Sequence, residues 1–122
     1  MTSVKDLMGS GLPALPALLE GYSNVAITAA GSASTDATVC DLQNDVFIMT
    51  ATGADGIRFH TSTPLLSPIF VFNTSGSTGV VYPTTGGTIN GGSTDAGLSM
   101  TTHKTAVFMR VSTNVWISIL TA

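Results

Sequence analysis

The side chains that could bind a metal are few in this sequence and lie far apart. The two histidines, His60 and His103, lack the close ligand spacing that zinc sites usually show. Asp41, Asp45 and Asp55 do not form the alternating acidic loop, ending in glutamate, that binds calcium. We therefore expect no bound metal and no cofactor. Each aspartate is expected at a turn, where its carboxylate accepts hydrogen bonds from nearby backbone.

The residues that could catalyse a reaction are equally scattered. Glu20 is the sole glutamate, whereas a glycosidase needs two acids facing each other across a cleft. Ser75 precedes Gly76 in a predicted loop and not at a sharp turn that opens a helix, as a nucleophilic serine would. The stretch GGTINGG does not lead from a strand into a helix, so it does not resemble a phosphate-binding loop. We predict that the chain is not an enzyme.

The single cysteine, Cys40, excludes a disulfide within the chain. Its apolar neighbours Val39 and Leu42 favour a buried thiol. A reactive nucleophile is the alternative, but it would need a basic partner that the sequence does not place nearby.

Charged residues make up only 9% of the chain, against about 25% in a typical soluble domain. The polar surface must therefore consist largely of Thr, Ser, Asn and Gly. A monomer with so few charges has little protection against association. A subunit that buries much of its surface against other copies would not need that protection. The composition thus favours a component of an assembly.

The sequence also argues against several kinds of partner and against secretion. The net charge is −3, and the basic residues Lys5, Arg58, Lys104 and Arg110 are dispersed, which argues against binding nucleic acid. No run approaches the ~18 apolar residues of a membrane span, so we expect no membrane partner. The N-terminus does not read as a secretory signal, because its apolar stretch is broken by prolines. We expect the product to stay where it is made or in a particle assembled there.

Residues 1–23 differ in composition from the rest of the chain and are predicted to form an N-terminal arm. Pro13 could begin a short helix that Gly21 ends, but two turns are too short to be stable alone. The arm either covers the open end of the following β-domain or docks on a neighbouring subunit or a larger shell. Its apolar residues, which are the main candidates for an interface, are Leu7, Met8, Leu12, Leu15, Leu18 and Leu19.

Residues 24–122 are predicted to form one all-β domain, an antiparallel β-sandwich or jelly roll of about eight to ten short strands. The runs are rich in β-branched and aromatic residues, and turn formers separate them at intervals of about ten residues. Residues 53–56 (GADG) are interpreted as a hairpin turn, and no internal repeat with a clear period is found. The predicted strands are 24–30, 38–43, 46–52, 57–61, 69–72, 80–82, 98–102, 104–112 and 115–120, with 88–90 as a short link.

Two arginines interrupt otherwise apolar strands. Arg58 lies between the inward positions Ile57 and Phe59, and Arg110 lies in the longest run. Each either meets an acid across a subunit contact or points outward into solvent, and we include both as interface candidates. Trp116 is predicted to pack in the core or in an interface.

Three stretches carry a resemblance to a known group of proteins. They are DGIRF (55–59), PIFVFNTSGSTGVVYPTTGGTING (68–91) and KTAVFMRVSTNVW (104–116). These resemble small virion proteins of tailed bacteriophages, as does the opening Lys5–Gly9 segment. The chain departs from that pattern in a longer turn at residues 73–76, and in Phe59 and His60 where leucine and proline are usual. The resemblance covers about two thirds of the chain.

The resemblance implies a head decoration (cement) protein, made in the bacterial cytoplasm and located on the capsid surface of the virion. Such a protein binds the major capsid protein on the outside of the shell, often as a homotrimer. It stabilises the filled head because it binds only the assembled state. The alternative is a module of the tail or fibre base. A carbohydrate-binding β-sandwich is a third hypothesis, but it would need an exposed aromatic platform.

Overall fold

The computed structural model describes residues 23–121, and every regular element in that range is a β-strand. The prediction of an all-β chain is thus confirmed for these residues. The predicted arm, residues 1–23, lies outside them except for Ser23. No helix of the described residues has the length and apolar character needed to cross a membrane. The strands are Asn24–Thr28 (β1), Thr38–Val39 (β2), Val46–Thr50 (β3), Asp55–Arg58 (β4), Ile69–Asn73 (β5), Gly79–Tyr82 (β6), Thr88–Ile89 (β7), Leu98–Met100 (β8), Thr105–Ser112 (β9) and Val115–Leu120 (β10).

The strands form two sheets, between which the chain alternates. The order in the first, sheet A, is β1-β3-β5-β9-β10-β7, and the order in the second, sheet B, is β2-β4-β6-β8. Strands β1, β3 and β5 are parallel to one another, as are β2, β4 and β6. Residues 24–82 therefore wind as a solenoid in which each turn, or rung, contributes one strand to each sheet.

The prediction of an antiparallel sandwich or jelly roll is wrong in its strand directions, because five of the eight strand pairs among the described residues are parallel. Val46 lies beside Asn24 on one side and beside Phe70 on the other, so one rung takes about 22 to 24 residues. Residues 53–56 are also not a hairpin, since they carry the chain from sheet A to sheet B. The side-chain alternation of a strand is the same whichever way its neighbour runs, so the pattern could not reveal this.

The C-terminal strands complete sheet A in the antiparallel sense. Strand β9 pairs with β5 on one side and with β10 on the other. Strand β7, predicted only as a link, adds a short parallel pairing at Val115 and Trp116. Strand β8 ends sheet B antiparallel to β6.

Aromatic side chains fill the core between the two sheets. Trp116 from β10 is fully buried and stacks on Phe59, with ring centroids 4.2 Å apart and an interplanar angle of 13°. Phe108 from β9 meets the same Phe59 ring edge-on at 5.1 Å. The Trp116 indole N–H donates to Thr84 Oγ1 at 3.2 Å, so its one polar atom is satisfied.

A buried asparagine closes the loop between β5 and β6. Asn73 is 1% exposed, and its amide group donates to the carbonyls of Ser77 and Met100, each at 2.9 Å. Its side-chain oxygen accepts from the backbone N–H and the hydroxyl of Ser75. The side chain thereby satisfies the loop backbone that would otherwise be buried without partners.

Candidate assembly surface

The outward side chains of sheet A form an apolar face. Successive residues of a strand point to opposite sides of the sheet. In β3, β5 and β9 the inward positions are buried and the outward positions are half-buried, although both are largely apolar. We call this surface the sheet A face and define it by its large apolar outward residues, which are Val46, Ile48, Phe70, Phe72, Val107, Met109, Val111, Val115, Ile117 and Ile119.

The register brings these residues into continuous rows. Val46 lies opposite Phe70, Phe70 opposite Val107, and Val107 opposite Ile119. One row thus crosses four neighbouring strands without a polar side chain. Such cross-strand aromatic and β-branched pairs stabilise a sheet, but they are usual on a buried face and not on a solvated one.

The exposure of the sheet A face is greatest on β10. Ile117 is 47% exposed and Ile119 is 77% exposed. The outer edge of β10 is partly closed by Asn90, whose side-chain oxygen accepts from the Ser118 N–H at 2.8 Å and whose amide donates to the Ser118 hydroxyl. An edge whose backbone groups are already hydrogen-bonded disfavours pairing with a strand of another chain. The face of β10, and not its edge, is the part available for contact.

The two sheets differ in the polarity of their outer surfaces. No Lys, Arg, Asp or Glu lies at an outward position of the sheet A strands. Sheet B carries Arg58 and Tyr82 side by side on its outer surface. A Cβ atom on Gly56 would lie 2.4 Å from the Tyr82 ring and one on Gly97 would lie 3.0 Å from it, so these glycines make room for the ring. The outer surface of sheet B thus carries a charged side chain and a tyrosine, whereas the large outward side chains of sheet A are apolar.

Two further leucines are exposed beside the end of β9. Leu65 is 53% and Leu66 64% exposed, and the Leu66 N–H donates to the Arg110 carbonyl at 2.8 Å. Leu66 has a φ of 61°, which costs a side chain of this kind about 1 kcal/mol or more. Leu66 thus holds an exposed apolar side chain next to β9.

The predicted interface residues have different surroundings. Arg110 points inward, is 9% exposed, and donates to the carbonyls of Thr61, Thr63 and Thr113 at 2.6 to 3.0 Å. The expectation that it points outward into solvent is wrong, because strand alternation places it on the core side. Arg58 is half-buried and donates to the Ser34 carbonyl at 3.2 Å. The six apolar arm residues lie outside the described range.

Most of the predicted turn aspartates are at turns. Asp41 accepts from the backbone N–H groups of Gln43 and Asn44, and Asp55 accepts from the backbone N–H and hydroxyl of Thr52. Hydrogen bonding by Thr52 lowers the pKa of Asp55. Within residues 23–121 no three His, Cys, Asp or Glu side chains group together as metal ligands would.

Cys40 is 2% exposed, which confirms the predicted buried thiol. Burial raises its pKa well above the usual range of a thiol, and the charge of Asp41 adds to the effect. The thiolate needed for nucleophilic attack is therefore disfavoured.

Asp45 is the exception among the aspartates, because it is buried at the start of β3. It is 4% exposed, and its Oδ1 has no hydrogen-bond partner. Burial raises the pKa of this carboxyl above its usual value of 3.8. The ionised form is thus less favourable in the folded chain than in the unfolded one.

We expect Asp45→Asn to raise the free energy of unfolding by about 1 kcal/mol at pH 7, because it removes an unpaired buried charge. Since the folded-state pKa is raised, the wild-type chain loses stability as the pH rises from 3.8 through the folded-state value. The advantage of the variant should therefore disappear at pH 3. Urea unfolding at several pH values measures this. Asp41→Asn, an exposed position in the same loop, is the control, and a variant of Asp45 less stable than wild type at pH 7 would contradict the prediction.

Comparisons with protein-family models, with curated proteins and with solved structures each found no match to this chain.

Proposed function

We propose that this protein is a capsid decoration protein of a tailed bacteriophage, which self-associates as a homotrimer and binds the major capsid protein on the outside of the head. The observation that carries the proposal is the sheet A face, which is apolar and uncharged across four adjacent strands. Three such faces can close around a threefold axis, with each face contacting both neighbours. The low charge content and the resemblance to small virion proteins support the same proposal.

The size of the sheet A face is consistent with a contact surface. Four strands spaced ~4.8 Å apart, each about six residues long, give it a flat area of roughly 400 Å². Apolar patches of this size on a monomer are commonly interaction sites. A standard interface takes about 800 Å² from each partner, so the contact should extend beyond the strands. The exposed Leu65 and Leu66 are suitably placed at the end of β9 for that extension.

A single charge on β10 tests the self-association. We expect Ile119→Asp to convert the trimer to a monomer, with the dissociation constant raised by at least about 100-fold, because the carboxylate would be buried without a partner. Light scattering on the eluting protein measures the mass. The matched control is Ser99→Asp, at an exposed strand position of sheet B, which should leave the trimer intact. A wild-type chain that is monomeric at all concentrations would refute the proposed trimer.

Binding to heads is tested separately. Purified protein is mixed with emptied heads of the phage that encodes it, and the heads are sedimented. Stoichiometric co-sedimentation of the wild type supports decoration. A trimer that does not bind heads but occurs at a few copies on tails would replace this proposal with a tail or fibre module.

A further inference from the structure

A tight turn follows β7 and contains an asparagine joined to a glycine. The Gly92 N–H donates to the Ile89 carbonyl at 3.0 Å, and the two residues between them, Asn90 and Gly91, have φ values of 53° and 74°. Positive φ at both central positions is the mark of a type I′ turn, for which Asn-Gly is a preferred pair. No other asparagine in the sequence is followed by glycine.

This pair carries the two groups that react in spontaneous deamidation. In that reaction the backbone nitrogen that follows an asparagine attacks the carbonyl carbon of the asparagine side chain. Glycine permits the attack best, because it has no Cβ to shield its nitrogen. Asn90 and Gly91 are both exposed, and a Cβ placed on Gly91 would meet no atom within 4 Å. Among residues 23–121 the Gly91 N–H has no hydrogen-bond acceptor, so the attacking nitrogen is available.

Two hydrogen bonds to Ser118 oppose the reaction in the folded chain. The Asn90 Oδ1 accepts from the Ser118 N–H, and the Asn90 Nδ2 donates to the Ser118 Oγ, both at 2.8 Å. At the ψ of about +30° typical of this turn position, the Gly91 nitrogen also lies away from the Asn90 Cβ. The turn and the two bonds must therefore open before the nitrogen reaches the side chain, so the rate depends on local opening beside β10.

We propose that Asn90 is a site of spontaneous deamidation and that its two hydrogen bonds with Ser118 control the rate. Hydroxide removes the proton of the Gly91 N–H, and the nitrogen forms a bond to the Asn90 Cγ. The Nδ2 group takes a proton from water and leaves as ammonia, which restores the hydroxide. Water then opens the resulting five-membered succinimide ring at either carbonyl and gives aspartate or isoaspartate. This inference does not depend on the proposed capsid function.

The isoaspartate product releases the outer edge of β10. Its backbone is longer by one methylene group and passes through the former side chain, so no carboxylate oxygen remains opposite the Ser118 N–H. That N–H is then open, and an edge with open backbone groups can pair with a strand of another chain. The aspartate product keeps an oxygen at the Oδ1 position of Asn90 and can still accept from Ser118.

The test incubates the native full-length chain at mildly alkaline pH and follows each asparagine by peptide mapping with mass spectrometry. Replacement of the side-chain NH₂ by OH marks deamidation, and enzymatic methylation identifies isoaspartate. Asn114 is the internal reference, because it is exposed in the turn before β10 but is followed by Val115. We expect Asn90 to react at least about tenfold faster than Asn114, since a β-branched residue shields the nitrogen that glycine leaves accessible.

Ser118→Ala tests the restraint on Asn90. We expect this variant to raise the rate at Asn90 about fivefold, because one of the two bonds that hold the side chain is lost. The matched control is Ser99→Ala, at an exposed strand position of sheet B, which should leave the rate unchanged. The rate at Asn114 should be unchanged in both variants.

Hydrogen exchange tests the effect on the edge of β10. The isoaspartate fraction is separated from unreacted protein by ion-exchange chromatography, and exchange of the Ser118 amide hydrogen is compared in the two. We expect exchange at least about tenfold faster in the isoaspartate fraction, because the N–H has lost its acceptor.

Four results would overturn the inference. A rate at Asn90 no faster than that at Asn114 would show that the turn is not a deamidation site. An unchanged Asn90 rate in Ser118→Ala would show that the hydrogen bonds do not control the reaction. An equal rise at Asn90 and Asn114 in this variant would show that it destabilises the whole domain. Equal Ser118 exchange in the two fractions would show that the edge of β10 stays closed.

Discussion

Replacing Trp116 by alanine is expected to lower the free energy of unfolding by about 3 to 5 kcal/mol. The indole is fully buried, stacks on Phe59 and donates to Thr84, so its loss leaves a cavity, an unsupported ring and an unpaired hydroxyl oxygen. Domains of this size are stable by only about 5 to 15 kcal/mol, so the variant should be near the limit of folding at 37 °C. Urea unfolding followed by far-ultraviolet circular dichroism measures the change.

The matched control is Ile117→Ala, on the next residue of the same strand but on its outer side. Ile117 is 47% exposed, so its truncation should cost the isolated monomer less than about 1 kcal/mol. Equal losses for the two variants would contradict the assignment of inner and outer sides to β10.

Replacing Arg110 by methionine is expected to lower the free energy of unfolding by about 3 kcal/mol. The guanidinium donates to the carbonyls of Thr61, Thr63 and Thr113, and methionine would leave them without these partners. Arg110→Lys should recover only part of the loss, because an ammonium cannot reproduce the planar fork of donors.

The oligomeric mass of the Arg110→Met variant distinguishes an internal role from the interface role suggested by sequence. An internal role predicts lower stability with an unchanged mass. Lys104→Met, just before the same strand, is the control and should change stability by less than about 0.5 kcal/mol. Dissociation of the Arg110 variant without loss of stability would restore the interface hypothesis.

The positions of the strands could be predicted because they depend on local chemistry. Runs of β-branched and aromatic residues ended by Gly, Asn and Pro located most of the ten strands to within a few residues. Alternation likewise placed Ile57 and Phe59 inside, where both are fully buried. The continuously apolar run 69–72 predicts a central strand covered on both sides. It is indeed a central strand of sheet A, but Phe70 and Phe72 on its outer side are only half-buried.

The strand partners could not be predicted, because strands that pair belong to successive rungs and their paired residues are about 22 to 24 positions apart in the sequence. Consecutive rungs carry different residues at matching positions, such as Asn24, Val46 and Phe70, so no repeat appears in the sequence. Arg110 was misjudged for a related reason. Only the folded loop at Thr61 and Thr63 supplies the carbonyls that make a buried arginine acceptable.

The position of β9 between β5 and β10 has a consequence for synthesis of the protein. Phe108 and Trp116, which complete the aromatic centre around Phe59, belong to the last two of the ten described strands and are synthesised after the earlier rungs. The earlier rungs therefore emerge with their inner sides uncovered and lack a complete core until Trp116 has been translated. A nascent chain in this state exposes apolar strands to solvent. Exposed apolar strands bind chaperones and associate prematurely with other chains.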